Sequence, residues 1–84
     1  MEKVKFYATK WCPDCMRARR LLERLKIEFE MIDIDQDAVG RDYVVKVNHG
    51  NRSVPTILFP DGSILVEPSD QELQEQILKI FGEV

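Results

Sequence analysis

The chain is poor in most residues that build special chemistry. Two of its 84 residues are cysteine, one is histidine and one is tryptophan, with four glycines and four prolines. A structural zinc site takes four ligands, and beyond the cysteines only His49 and carboxylates are on offer, with no second Cys-x-x-Cys and no spaced histidine pair, so no metal site is expected. Secreted scaffolds held by permanent bridges usually carry more cysteines than this. Twelve Lys and Arg against 15 Asp and Glu leave a net charge of −3, which argues against nucleic acid as a general partner. No apolar run approaches membrane-spanning length, and Met1-Glu2-Lys3 opens without the pattern of a secretory leader, so a cytoplasmic protein with no membrane partner is expected. No linker divides the chain. Residues 1–84 read as one domain, able to bury about 60% of its unfolded surface.

What is present is a single pair, Cys12-Pro13-Asp14-Cys15, placed where the strand-like run Val4 to Ala8 gives way to a helical stretch. A thiol in the first turn of a helix meets unpaired backbone N–H groups and the positive end of the dipole, which favour thiolate over thiol. Pro13 suits the first helical position, so Cys12 falls at or near the N-cap and Cys15 one turn further in. A structural bridge over so short a loop would remove little unfolded-state entropy. The pair therefore reads as a redox-active dithiol, kept reduced in the cytoplasm and cycling during turnover.

Periodicity organises the rest. Val4, Phe6 and Ala8 alternate with Lys3, Lys5 and Tyr7 as a strand. From Pro13 to Lys26, Ala18, Leu21, Leu22 and Leu25 form a helical stripe, with Arg17, Arg19, Arg20, Arg24 and Lys26 on a basic, solvated outer face. Docking of an acidic partner is the second reading of that face. Phe29, Met31, Ile32 and Ile34 make a second strand, and Asp35 to Asp37 open a helix to about Val47 with Val39, Tyr43, Val44 and Val47 on its apolar side. Asn48-His49-Gly50 reads as its stop, with His49 a surface residue of no catalytic role. Thr56 to Phe59 and Ile64 to Val66 flank the turn Pro60-Asp61-Gly62-Ser63 as a hairpin. Ser69 and Glu72 spell a capping box, and Leu73, Ile77, Ile80 and Phe81 follow at helical spacing. The order is βαβαββα: an α/β fold with a four-stranded mixed sheet, a parallel first βαβ unit, an antiparallel hairpin and helices on both faces.

Trp11-Cys12-Pro13-Asp14-Cys15 opening a helix after a strand, together with Ser53-Val54-Pro55-Thr56 entering the third strand, resembles the glutaredoxins of the thioredoxin fold across essentially the whole chain. Asn51 to Thr56, then Asp61-Gly62-Ser63 and Pro68-Ser69, look most like the mycoredoxins, the glutaredoxin-like proteins paired with mycothiol. The resemblance implies that Cys12 is the nucleophile and Cys15 the resolving thiol, and that Val54-Pro55 is a cis pair whose Val54 backbone meets the substrate. It places Lys10, Ser69 and Asp70 near positions that hold the charged groups of glutathione. Arg52 is a further donor for a small thiol, and Trp11 either walls a bound thiol or packs beside the site. Two departures stand out. The Gly-Gly that many glutaredoxins carry before the last helix is replaced by Val66-Glu67, which counts against a standard glutathione pocket, and Asp14 puts a negative charge where an aromatic is common.

The implied activity is thiol–disulfide exchange on disulfide-containing or S-thiolated proteins, with mycothiol or glutathione as co-substrate and no permanently bound cofactor. A monomer is expected. The alternative is an electron donor reduced directly by thioredoxin reductase, of the kind that feeds ribonucleotide reductase. A cluster-binding carrier formed by two protomers is a third reading, against which Pro13 and the available Cys15 argue.

Overall fold

The computed structural model describes residues 3–82; Met1 and Glu2, read above as carrying no leader, lie outside the described residues. The elements run β1 (Val4–Ala8), α1 (Pro13–Arg24), β2 (Phe29–Asp33), α2 (Ala38–Val47), β3 (Thr56–Leu58), β4 (Ile64–Val66) and α3 (Asp70–Phe81). Strand order is β2-β1-β3-β4. β1 pairs parallel with β2 from Val4↔Phe29 to Ala8↔Asp33 and antiparallel with β3, which pairs antiparallel with β4. This is the thioredoxin-fold arrangement that the motifs imply.

Each boundary has a local cause. Asp37 caps α2 by accepting from the Gly40 N–H at 2.9 Å, and Ser69 and Glu72 form the reciprocal capping box of α3. α1 ends at Arg24, two residues short of the expected limit, because Lys26 turns into the left-handed region at φ 59°. β2 and β3 each end one residue earlier than expected, with Ile34 and Phe59 still buried after the strands stop.

The central strand explains how the two cores are divided. Val4, Phe6 and Ala8 point into a cluster with Ala18, Leu21 and Leu22 of α1 and Leu73 and Ile77 of α3. Tyr7 points the other way, grouped with the polar face in the alternating pattern yet only 6% exposed, because α2 covers that side of the sheet. Its ring stacks on Tyr43 at a centroid distance of 5.0 Å, and burial raises its hydroxyl pKa above the ordinary value, with the neighbouring Tyr43 adding to the rise.

The inner face of α2 differs from the expected one. Val39 is 81% exposed, whereas Gly40 is buried. A Cβ at Gly40 would stand 2.6 Å from Cγ2 of Ile32, so the missing side chain is what lets the helix approach β2. Beyond α2, Thr56 is fully buried and donates to the Ser53 carbonyl at 2.7 Å while accepting from Asn48 Nδ2 at 3.1 Å. These bonds tie the loop that carries Val54 to the end of α2.

The close approach at Gly40 sets a stability test. Overpacking costs about 1–3 kcal/mol and the gain in helix propensity returns about 1 kcal/mol at most, so Gly40→Ala is expected to lower unfolding free energy by about 1–2 kcal/mol in urea denaturation. Unchanged or increased stability would show that Ile32 is not in contact there.

Candidate active site

β1 delivers the chain to the sheet's C-terminal edge, and Thr9 to Trp11 carry it into α1. Cys12 is the N-cap, with extended backbone at φ −97° and ψ 110°, and its sulfur accepts the Cys15 N–H at 3.0 Å. N-caps are ordinarily oxygen-bearing side chains. Here sulfur takes that place, where an N–H and the positive end of a helix both suit a negatively charged atom. Pro13 at the first helical position removes an N–H that would have had no partner in the helix.

The second contact comes from the loop that Thr56 anchors. The Val54–Pro55 peptide bond is cis. The Cys12 sulfur lies 3.7 Å from the Val54 carbonyl oxygen, within reach of a long S–H···O bond, and Val54 packs against both cores. Pro55 is buried beneath it.

The two thiols sit in unlike environments. Cys12 is half-buried, whereas Cys15 is 2% exposed and belongs to the core of α1. Burial pushes the Cys15 thiol up to about 12, with the hydrogen bond to Cys12 and the nearby Cys12 and Asp14 charges adding to it and a backbone bond to Thr9 opposing it. At neutral pH Cys15 is therefore a protonated thiol.

The acidic residues around the dithiol are organised by a residue the helical pattern assigned to solvent. Arg17 reaches across to α3, donating to Asp70 Oδ1 at 2.5 Å and to the Pro68 carbonyl at 3.0 Å, and it also lies 3.6 Å from Asp14. The Asp70 carboxylate raises the guanidinium's affinity for its proton above the ordinary value. Arg17 thus binds α1 to the start of α3 and offsets the charge that Asp14 places beside Cys12. Nothing in helical periodicity signals this, because the partner lies 53 residues away.

The remaining candidates separate. The Ser69 N–H donates to Glu72 at 2.9 Å and its hydroxyl oxygen accepts from the Glu72 N–H, so the Ser69 backbone N–H is used in capping. Asp70 faces Arg17. Trp11 is 86% exposed, which removes the reading in which it packs beside the site. Arg52 is exposed on the loop before Val54. Lys10 lines a cleft on the β2 side of α1, while Arg17 leaves the helix toward α3. Among the described residues, no group of three or more His, Cys, Asp or Glu side chains is placed to hold a metal ion, and no helix is long and apolar enough to cross a membrane.

Comparison with known proteins agrees with this geometry. The glutaredoxin family model matches residues 4–64. A Mycobacterium tuberculosis protein named as a glutaredoxin is 40% identical over 79 residues, 94% of each chain. Mycoredoxin 1 of Corynebacterium glutamicum is 42% identical over 78 residues, covering 92% of this chain and 95% of that one. The crystal structure of a glutaredoxin from Archaeoglobus fulgidus superposes with a TM-score of 0.73 at 30% identity, covering 92% of this chain and 87% of that one.

The contrast between the thiols has a direct chemical readout. Iodoacetamide at neutral pH is expected to label Cys12 rapidly and to leave Cys15 unmodified in the native protein, as peptide mass mapping would report. Labelling of Cys15 ahead of Cys12 would contradict the assigned environments.

Proposed function

The chain belongs to the glutaredoxin family, a family of thiol–disulfide oxidoreductases, and from that premise we propose that it reduces mixed disulfides between proteins and a low-molecular-weight thiol. The observation that carries this reading is the Cys15 N–H directed at the Cys12 sulfur at 3.0 Å, which supports a half-buried nucleophile at the helix N-cap next to a buried, protonated partner.

In the proposed cycle the Cys12 thiolate attacks the small thiol's sulfur in the protein mixed disulfide. A Cys12 mixed disulfide forms as the protein thiolate leaves. Two routes complete the turnover. A second small thiol attacks the bound one and regenerates Cys12, or Cys15 gives up its proton, attacks Cys12 and expels the small thiol, leaving an intramolecular disulfide for later reduction. The second route requires the buried Cys15 to ionise. Val54 offers backbone groups beside the sulfur, which fits pairing with the substrate's cysteinyl backbone and alignment of the sulfurs.

Mycothiol and glutathione are the candidate co-substrates. Glutathione carries an ammonium and two carboxylates, whereas mycothiol is an acylated cysteine on an uncharged sugar. Asp70 is already paired with Arg17, and Asp14 adds negative charge on that side of the dithiol. Repulsion of carboxylates there favours the sugar-linked thiol, in keeping with the similarity to Mycoredoxin 1. A thiol cycle of this kind places the protein in a reducing compartment, the cytoplasm.

An NADPH-coupled assay run in parallel with mycothiol, glutathione and thioredoxin reductase separates these readings. Cys12→Ser is expected to abolish activity. Cys15→Ser is expected to keep turnover of a small mixed disulfide while losing most reduction of a protein dithiol disulfide. Equal loss from both substitutions on the small substrate would contradict the assignment, and turnover supported by thioredoxin reductase alone would replace the mixed-disulfide reading with the electron-donor one.

A further inference from the structure

The surface around Cys12 is split by charge. On the α3 side stand Asp14 and Asp70 with Arg17 between them. On the β2 side a cleft of about 190 Å³ opens against Thr9, Lys10, Cys15, Met16, Arg19 and Met31. It continues along α1 past Arg20 to Glu23. Glu23 is paired with Arg19 at 3.4 Å, whereas neither Lys10 nor Arg20 has an ion-pair partner among the described residues.

The floor of this cleft is apolar and open. Met16 is 50% exposed and Met31 40%. Methionine is unbranched and polarizable, so an exposed pair can fit side chains of different shape. Arg19 leans over this floor, its guanidinium 3.8 Å from the Met31 sulfur. Met31 lies on β2, the edge strand of the sheet, whose outer backbone groups have no neighbouring strand.

We propose that the cleft between α1 and β2 seats an extended acidic segment of the disulfide-bearing partner protein, with one aliphatic side chain of that segment resting on Met16 and Met31. The proposal rests on the reading of the chain as an oxidoreductase acting on protein disulfides. Charge complementarity selects the occupant: Lys10, Arg19 and Arg20 attract carboxylates, and the acidic α3 side repels them, so an acidic partner is turned toward β2. The cleft adjoins the dithiol through Thr9, Lys10 and Cys15, close enough for a segment flanking the partner's cysteine to reach it. A small mixed disulfide has no such segment and gains nothing from it.

The test uses synthetic decapeptides, each with one cysteine held as a mixed disulfide with 2-mercaptoethanol. One set has Asp and Glu flanks with a leucine, a second has Lys and Arg flanks with a leucine, and a third has Asp and Glu flanks with serine in place of leucine. Hydroxyethyl disulfide serves as the reference substrate. The native protein is expected to reduce the acidic leucine peptide with a kcat/KM about tenfold above the basic one at low salt. The double variant Arg19→Glu with Arg20→Glu should erase or invert that preference, and Met31→Gln should slow the leucine peptide without affecting the serine one. Reduction of hydroxyethyl disulfide should be the same in all three proteins. Equal rates on acidic and basic peptides, or a charge-reversed variant that slows every substrate alike, would overturn the proposal while leaving the oxidoreductase reading in place. Failure of the native protein to reduce hydroxyethyl disulfide would overturn both.

Discussion

The hydrogen bond from the Cys15 N–H to the Cys12 sulfur is the constraint around which the rest of the molecule is arranged. For sulfur to stand as the N-cap, the chain must leave the sheet in an extended conformation at Cys12 and enter a helix at once, which Pro13 promotes by its fixed φ. The helix must also be held at a fixed height over the sheet. Ala18, Leu21 and Leu22, all within 2% of full burial, anchor it on Val4, Phe6 and Ile57. That anchoring draws Cys15 into the core, so the packing that positions Cys12 also suppresses ionisation of its neighbour.

Two further devices keep the site in register, and they act from opposite flanks. The Asn48–Thr56–Ser53 bonds fix the loop that brings the Val54 carbonyl to the sulfur. Arg17 fixes the start of α3 through Asp70 and the Pro68 carbonyl. Its partners are partly exposed, so the ion pair itself adds little to stability, and its value is geometric and local: it prevents two carboxylates near the dithiol from standing uncompensated. The two cysteines thus have Asp14 and Asp70 with Arg17 on one flank and Lys10, Met16 and Arg19 on the other.

Much of this was legible in the residues. Period-two and helical spacing located all seven elements, and Asp37 and Ser69 marked two helix starts because a cap is a local event between residues three apart. Cys12 at the N-cap followed from Pro13. The failures were non-local. Val39 looked like a core residue because counting apolar positions cannot detect that a glycine allows a closer approach on the adjacent face. Tyr7 looked solvent-facing because alternation assumes one wet face, whereas β1 is central and covered on both. Arg17 shows the same limit from the side of charge: a basic helix face reads alike in sequence whether or not the opposite helix supplies a partner.

The central claim is that Cys12 is the sulfur that attacks and Cys15 the one that waits. Its most direct test is to mix the reduced protein with a peptide mixed disulfide, quench in acid within the first turnover and map the adduct by mass spectrometry. The account predicts the transferred small thiol on Cys12, with Cys15 free in the same molecules. An adduct on Cys15, or one divided equally between the two cysteines, would contradict it.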